Sequence, residues 1–219
     1  MKRVAITGAT GTIGAAVCKA LAARGDHPIA LSRDASSAER QLGGIETHDW
    51  ADPTGAPAPT AALSGANAVV HLLGEPIAQR WTAAAKQRIR DSRVLATRNL
   101  VAALQTLGGD QRPDVLVSQS AAGFYGARGD EIVDEHSSGG NDFLAGVVEE
   151  WEREAQNAEP ALRAVRTRTG IVLTPSGGAL AQMLPFFRAG VGGPVAGGRQ
   201  YVPWVHLSLI HISEPTRQA

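Results

Sequence analysis

Apolar and polar positions along the chain fall into blocks of changing period. Arg3 to Thr7 is a short apolar run, and Thr12 to Arg24 carries an Ala-rich helical pattern that stops at Gly25. Pro28 to Ser32 reads as a second strand and Ile45 to His48 as a third. Asp52 to Pro59, dense in Pro, Gly and Ala, reads as loop. Ala68 to Leu73 (AVVHLL) is apolar throughout except for one histidine, as in a strand covered on both faces. A long helical pattern runs from Thr82 to Leu107 and ends at Gly108-Gly109. Val115 to Ser118 predicts a strand, Asn141 to Ala158 a helix with Asn141 as N-cap, and Arg163 to Leu173 another strand. Beyond Thr174 the chain becomes rich in glycine and proline. Strands alternating with helices, at spacings too long for hairpins, predict an α/β fold with a doubly wound parallel sheet.

Three glycines, Gly8, Gly11 and Gly14, sit between the first strand and the first helix. At that spacing the first permits a tight turn, the second a close backbone approach to a pyrophosphate, and the third close helix–strand packing. The helix N-terminus then faces the phosphates with free N–H groups. This context predicts a Rossmann-type dinucleotide site over residues 1–174, the alternative being an ordinary βα turn.

The end of the second strand selects the nucleotide. Ser32-Arg33 stands where NAD binders often place an acid for the ribose 2′-OH. A hydroxyl and a guanidinium suit a 2′-phosphate, which favours NADP(H). The other reading of Arg33 is a solvated loop residue. Asp34 lies one step further on, and Asp49 serves equally as an acceptor for the adenine amino group or as a turn former.

Charge and composition narrow the class. Lys+Arg and Asp+Glu both number 21, so nothing electrostatic points to nucleic acid or an acidic membrane as partner. The single cysteine, Cys18, excludes an internal disulfide and fits a reducing compartment. No run spans a bilayer and no leader is visible, so the expectation is a cytoplasmic protein acting on a small molecule. The six histidines show no metal-ligand spacing, so no metal is expected; His71 reads as a core residue.

The segments TGATGTIG (7–14), LSRD (31–34), VVHLLGEPI (69–77), SRVLATRNLVAAL (92–104), SQSAAGFYG (118–126), RGDEIVDE (128–135), RTGIVL (168–173) and GGPVAGGRQYVPWVH (192–206) together resemble the extended short-chain dehydrogenase/reductases. Within them they resemble the atypical NAD-dependent epimerase/dehydratase-like "epimerase family" proteins. The resemblance implies that Gly8, Thr10, Gly11, Thr12, Ile13 and Gly14 line the pyrophosphate, and that Ser32 and Arg33 take the 2′-phosphate. It places Leu72, Leu73 and Gly74 against the adenosine ribose. Ser118, with Ser120 and Tyr125 as candidate catalytic hydrogen-bond donors, would face the nicotinamide and substrate. Residues 175–206 would begin a substrate-binding lobe.

Short-chain dehydrogenases usually work through Tyr-x-x-x-Lys, and this chain lacks the pair. Tyr125 is followed by Gly129 four residues on, Tyr201 by Val205, and no lysine lies beyond Lys86. On the helix where the pair belongs stand Phe143, Leu144, Val147 and Val148, none of which transfers a proton. Two readings stay open. One is an NADP(H)-dependent oxidoreductase or epimerase-like protein using Ser120 and Tyr125, helped by Glu135 or Arg128. The other is a non-catalytic NADP(H)-binding regulator. The helix carrying Lys86, Arg88, Arg90, Arg93 and Arg98 reads most simply as a solvated face, with a cofactor role for Arg93 as the other reading, and the segment with Arg199, Tyr201 and Trp204 reads either as one wall of a substrate pocket or as a plain loop. After His206 the family pattern is lost. Residues 207–217 (LSLIHISEPTR) match the in-frame translation of a transposon sequencing adapter, so 207–219 is expected to carry no function, and apolar surface is expected beside an incomplete lobe.

Overall fold

The computed structural model describes residues 1–175, 177–194 and 196–209. Its main sheet comprises β1 (Arg3–Thr7), β2 (His27–Ser32), β3 (Glu46–Asp49), β4 (Ala68–His71), β5 (Val115–Ala121) and β6 (Arg163–Thr169). Their spatial order is β3-β2-β1-β4-β5-β6, and every neighbouring pair is parallel. The order reverses between β1 and β4, and there the carboxyl ends of the strands open a crevice. This is the doubly wound Rossmann-type α/β fold.

Two apolar layers follow from the strands' period of two. Val4, Ile6 and Ala30 face one side, where α1 (Thr12–Ala23) covers them with Val17, Cys18 and Leu21. Ala5, Ile29, Leu31, Val69 and Leu116 face the other side, beneath α3 (Thr60–Leu63) and α4 (Ala83–Thr106). Thr82 caps α4 by accepting from the Ala85 N–H at 3.2 Å. Cys18 is buried, which pushes its thiol up to about 11 and leaves it a packing residue rather than a nucleophile.

Three predicted features change. Asp142, rather than Asn141, caps α5 (Phe143–Gln156), its carboxylate accepting from the Ala145 N–H at 2.9 Å. The predicted strand 163–173 is two strands divided at Gly170, where a Cβ would lie 2.7 Å from the Pro203 carbonyl oxygen. β7 (Ile171–Leu173) therefore leaves the main sheet and pairs in parallel with β8 (Trp204–His206). Finally, α2 (Ala35–Gln41) and α6 (Gly178–Arg188) are helices in segments where the sequence predicts none. α2 buries only Ala38, and α6 buries nothing and contains Pro185.

Phe186, Phe187, Val191 and Trp204 are exposed around α6 and β8. Of the segment 207–219, Leu207–Leu209 forms one 3-10 turn, and 210–219 lie outside the described residues. Among the described residues no helix is long and apolar enough to cross a membrane.

Candidate functional site

The glycine-rich turn is shaped by backbone that no side chain could share. Gly8 leaves β1 with φ 64°, and a Cβ on it would lie 2.9 Å from the Leu72 carbonyl oxygen. The Gly11 N–H closes the turn on the Gly8 carbonyl at 3.0 Å. A Cβ on Gly14 would lie 2.3 Å from that same carbonyl oxygen. Gly11 is the N-cap of α1 and no side chain caps the helix, so its first-turn N–H groups stay available to an outside acceptor.

A cleft of about 590 Å³ opens beside this turn. Gly8, Thr10, Gly11, Ser32, Arg33, Leu72, Leu73 and Gly74 line it, together with Trp50 to Thr54 from the segment after β3 and Glu75, Pro76 and Arg88 from the β4–α4 side. Thr12, Ile13 and Gly14 line an adjoining cavity of about 200 Å³, with Gln119, Val172 and Gly178.

The end of β2 leaves one cation unopposed. Arg33 lines the cleft and, among the described residues, its guanidinium has no hydrogen-bond or ion-pair partner. Both nearby carboxylates are already used by backbone. Asp34 caps α2 by accepting from the Ser37 N–H at 2.9 Å, and Asp49 accepts from the Ala35 N–H at 2.7 Å. Asp49 thus ties α2 to the end of β3.

Arg93 supports the cleft from behind. Its Nη1 donates to the Glu75 and Ile89 carbonyls, each at 3.0 Å, and its guanidinium carbon is 5.4 Å from the centre of the Trp151 ring. Burial lowers the Arg93 pKa. A Cβ on Gly74 would meet the Arg93 guanidinium at 3.1 Å, so this arginine sets the shape of the loop.

His71 locks β1, β4 and α4 together beneath the same loop. It is fully buried between the Thr7 hydroxyl at 2.7 Å and the Thr97 hydroxyl at 2.9 Å. Proton accounting fixes the tautomer. The Thr97 hydroxyl donates to the Arg93 carbonyl, so it accepts from His71 Nε2–H. Nδ1 then accepts from the Thr7 hydroxyl, whose oxygen accepts from the Leu72 N–H at 3.2 Å. Burial pushes the His71 imidazole down to about 4 from 6.5. Between those values the unfolded chain binds a proton that the folded chain refuses, so stability is complete above pH 6.5 and falls as the pH drops toward 4. Urea unfolding at pH 7.5, 6 and 5 should register this decline, roughly 3 kcal/mol over the whole window. A stability that stays flat from pH 7.5 to 5 contradicts it.

The candidate catalytic side chains do not converge on either cavity. Ser120 and, on the same strand, the cofactor-binding candidate Ser118 are each 1% exposed on the α5 side of β5. The Ser120 hydroxyl donates to Glu152 Oε1 at 2.5 Å. Glu152 and Arg168 form the centre of this cluster, and sequence reasoning missed both. Arg168 Nε and Nη2 meet the two Glu152 oxygens at 2.8 and 2.9 Å, and Nη1 donates to the Tyr125 phenol oxygen at 3.0 Å. The guanidinium carbon also lies 3.6 Å from the centre of the Phe124 ring. Burial opposes ionisation of Glu152, but the bonds from Arg168 and Ser120 outweigh it and hold the carboxyl below its usual range. Nothing in the sequence links a helix position to a strand position sixteen residues later.

Arg128 and Glu135, expected to assist, lie beside this cluster. Arg128 donates to the Tyr125, Ser138 and Gly139 carbonyls, stapling the loop after β5. The backbone carbonyl of Glu135 accepts from Arg168 at 3.3 Å. The Phe143 ring packs edge-on against Trp81 at 5.6 Å, with Lys86 Nζ 5.1 Å from its centre. Arg199, Tyr201 and Trp204 line neither cavity, and Tyr201 and Trp204 are 76% and 63% exposed.

Comparison with known proteins matches this architecture. The chain is 37% identical to the chloroplastic epimerase family protein SDR39U1 homolog of Arabidopsis thaliana, over 93% of this chain and 58% of that protein. It is 39% identical to epimerase family protein Mb2239 of Mycobacterium bovis, over 93% of this chain and 65% of that protein. It therefore spans about three-fifths to two-thirds of the length of these relatives. The crystal structure of human epimerase family protein SDR39U1 with NADPH superposes with a TM-score of 0.79 at 31% identity, covering 94% of this chain and 66% of the human one. Residues 4–170 match the model of the NAD dependent epimerase/dehydratase family, and the chain belongs to that family.

Proposed function

We propose that this chain binds NADP(H) across the crevice between β1 and β4. The adenosine half occupies the larger cleft, the pyrophosphate lies on Gly8, Thr10, Gly11, Thr12, Ile13 and Gly14, and Leu72, Leu73 and Gly74 border the adenosine ribose. The observation that carries this reading is Arg33, an unpaired guanidinium in the cleft beside Ser32, with both neighbouring carboxylates already bound to backbone amides. A cation without a counter-ion at the end of β2 suits a 2′-phosphate and has no partner in NAD(H). The turn fits the group as well: at Gly8 and Gly14 any Cβ would clash with backbone, which keeps the turn tight and α1 close to β1, and Gly11 between them stands at the position where backbone approaches a pyrophosphate. The similar human protein was solved with NADPH, which supports the choice.

Arg33→Asp tests the assignment. It should weaken NADPH binding about 10- to 100-fold, in line with a lost charge-assisted pair, and leave NADH affinity nearly unchanged. An unaltered preference between NADPH and NADH in Arg33→Asp would show that Arg33 does not read the nucleotide.

For the whole protein we propose an NADP(H)-dependent oxidoreductase or epimerase-like activity on a small molecule, with residues 1–174 as the cofactor domain and 175–206 opening the substrate lobe. Bound NADP(H) supplies or accepts hydride. Tyr125 is the remaining proton-bearing candidate: its oxygen accepts from Arg168, and its own hydrogen has no acceptor among the described residues. Ser120 now acts through Glu152, holding the carboxylate that holds Arg168. A non-catalytic cofactor-binding role is favoured by one observation, the packed Phe143 ring and Val147 where a Tyr/Lys pair would stand. Turnover decides between them: NADPH oxidation across a panel of carbonyl compounds supports the enzyme, and saturable binding without turnover supports the regulator.

A further inference from the structure

The cavity on the far side of the glycine-rich turn has a polar side chain that the pyrophosphate does not account for. β5 alternates, so Ser118 and Ser120 point to the α5 side and Gln119 points the opposite way. There Gln119 lines the cavity of about 200 Å³ with Gly8, Gly11 and Leu72, which also line the larger cleft, and with Val172 and Gly178. Among the described residues the Gln119 side-chain amide has no hydrogen-bond partner. The remaining walls of this small space are backbone, glycine, Thr12 and aliphatic side chains.

A dinucleotide laid over a shared turn must send its two halves in opposite directions. Arg33 places the phosphorylated adenosine half in the larger cleft, so the second nucleoside enters the smaller cavity. A free carboxamide offers one acceptor and two donors, and its best match is a group with the same pair of functions. We infer that Gln119 recognises the nicotinamide end of the cofactor, its side-chain amide pairing with the ring carboxamide. This rests on the NADP(H) reading above. It adds a specificity residue on β5, the strand in which sequence reasoning selected the two flanking serines and passed over the residue between them.

The test compares ligands that differ only at that end. Wild type and Gln119→Leu are titrated with NADPH, with 2′-phospho-ADP-ribose, which lacks nicotinamide, and with the 3-acetylpyridine analogue of NADPH, which lacks the amide N–H donors. Gln119→Leu should lose about tenfold in NADPH affinity, the equivalent of one to two hydrogen bonds. Its affinity for 2′-phospho-ADP-ribose should stay within about twofold of wild type, which also shows that the variant is folded. The wild-type preference for NADPH over the acetylpyridine analogue should vanish in the variant. Unchanged NADPH affinity, or equal losses for NADPH and 2′-phospho-ADP-ribose, overturns the role of Gln119 alone. Failure of wild type to bind either NADPH or 2′-phospho-ADP-ribose overturns it together with the cofactor reading.

Discussion

Gly14→Ala is expected to cost about 3 kcal/mol or more of stability and to abolish binding at the glycine-rich turn. The added methyl would lie 2.3 Å from the Gly8 carbonyl oxygen and 2.7 Å from the Ala9 Cα. Both are backbone atoms, so no rotamer change relieves the clash. Either α1 moves away from β1 or the turn opens, and each outcome displaces the N–H groups that would face the phosphates. Gly108→Ala is the matched control, because a Cβ there meets nothing within 4 Å. Urea unfolding of the two variants should therefore separate them clearly, with Gly108→Ala close to wild type. A Gly14→Ala protein as stable as wild type would mean that the turn is not packed as described.

Glu152→Ala should cost about 3 kcal/mol, because it strands a charge that has little access to water. The side chains of Arg168 and Glu152 are only 20% and 11% exposed, so solvent screens the pair weakly. The loss should spread beyond the pair. Arg168 also holds the Tyr125 phenol and the Glu135 carbonyl, so the turn after β5 and the loop stapled by Arg128 lose a common anchor. The double variant Glu152→Ala/Arg168→Met removes the stranded charge and should regain part of the stability. Thermal unfolding checks both points. A double variant less stable than Glu152→Ala by a full additive increment would show that the two residues do not act as a unit.

These two variants mark the line between what the sequence conveys and what only the fold reveals. The turn was legible because its requirement is local: three glycines at fixed spacing between a strand and a helix constrain backbone whatever the rest of the chain does. The long strand and helix patterns were legible for the same reason, since burial on a sheet or a helix face imposes a short period on the sequence. The short α2 buries too little to impose one, and in α6 the surrounding glycines and Pro185 mask the helical spacing of Leu180, Met183, Leu184 and Phe187. Asp49 shows the same limit at the scale of a side chain: its two sequence readings stand equal, and only the fold shows its bond to the Ala35 N–H. Ser120 and Glu152 lie farther beyond sequence reasoning. Their bond joins a strand to a helix, and Arg168 joins that helix to a further strand. His71 was legible as a core residue, but its relay from Thr7 to Thr97 spans three elements and appears only once they pack.

The central claim is that this fold holds a phosphorylated dinucleotide, with Arg33 reading the 2′-phosphate. Calorimetric titration of the wild-type chain with NADPH and NADH tests it most directly. The account predicts saturable one-to-one binding of NADPH, with at least about a tenfold preference over NADH. Equal affinities for the two nucleotides, or no saturable binding of NADPH, would contradict it.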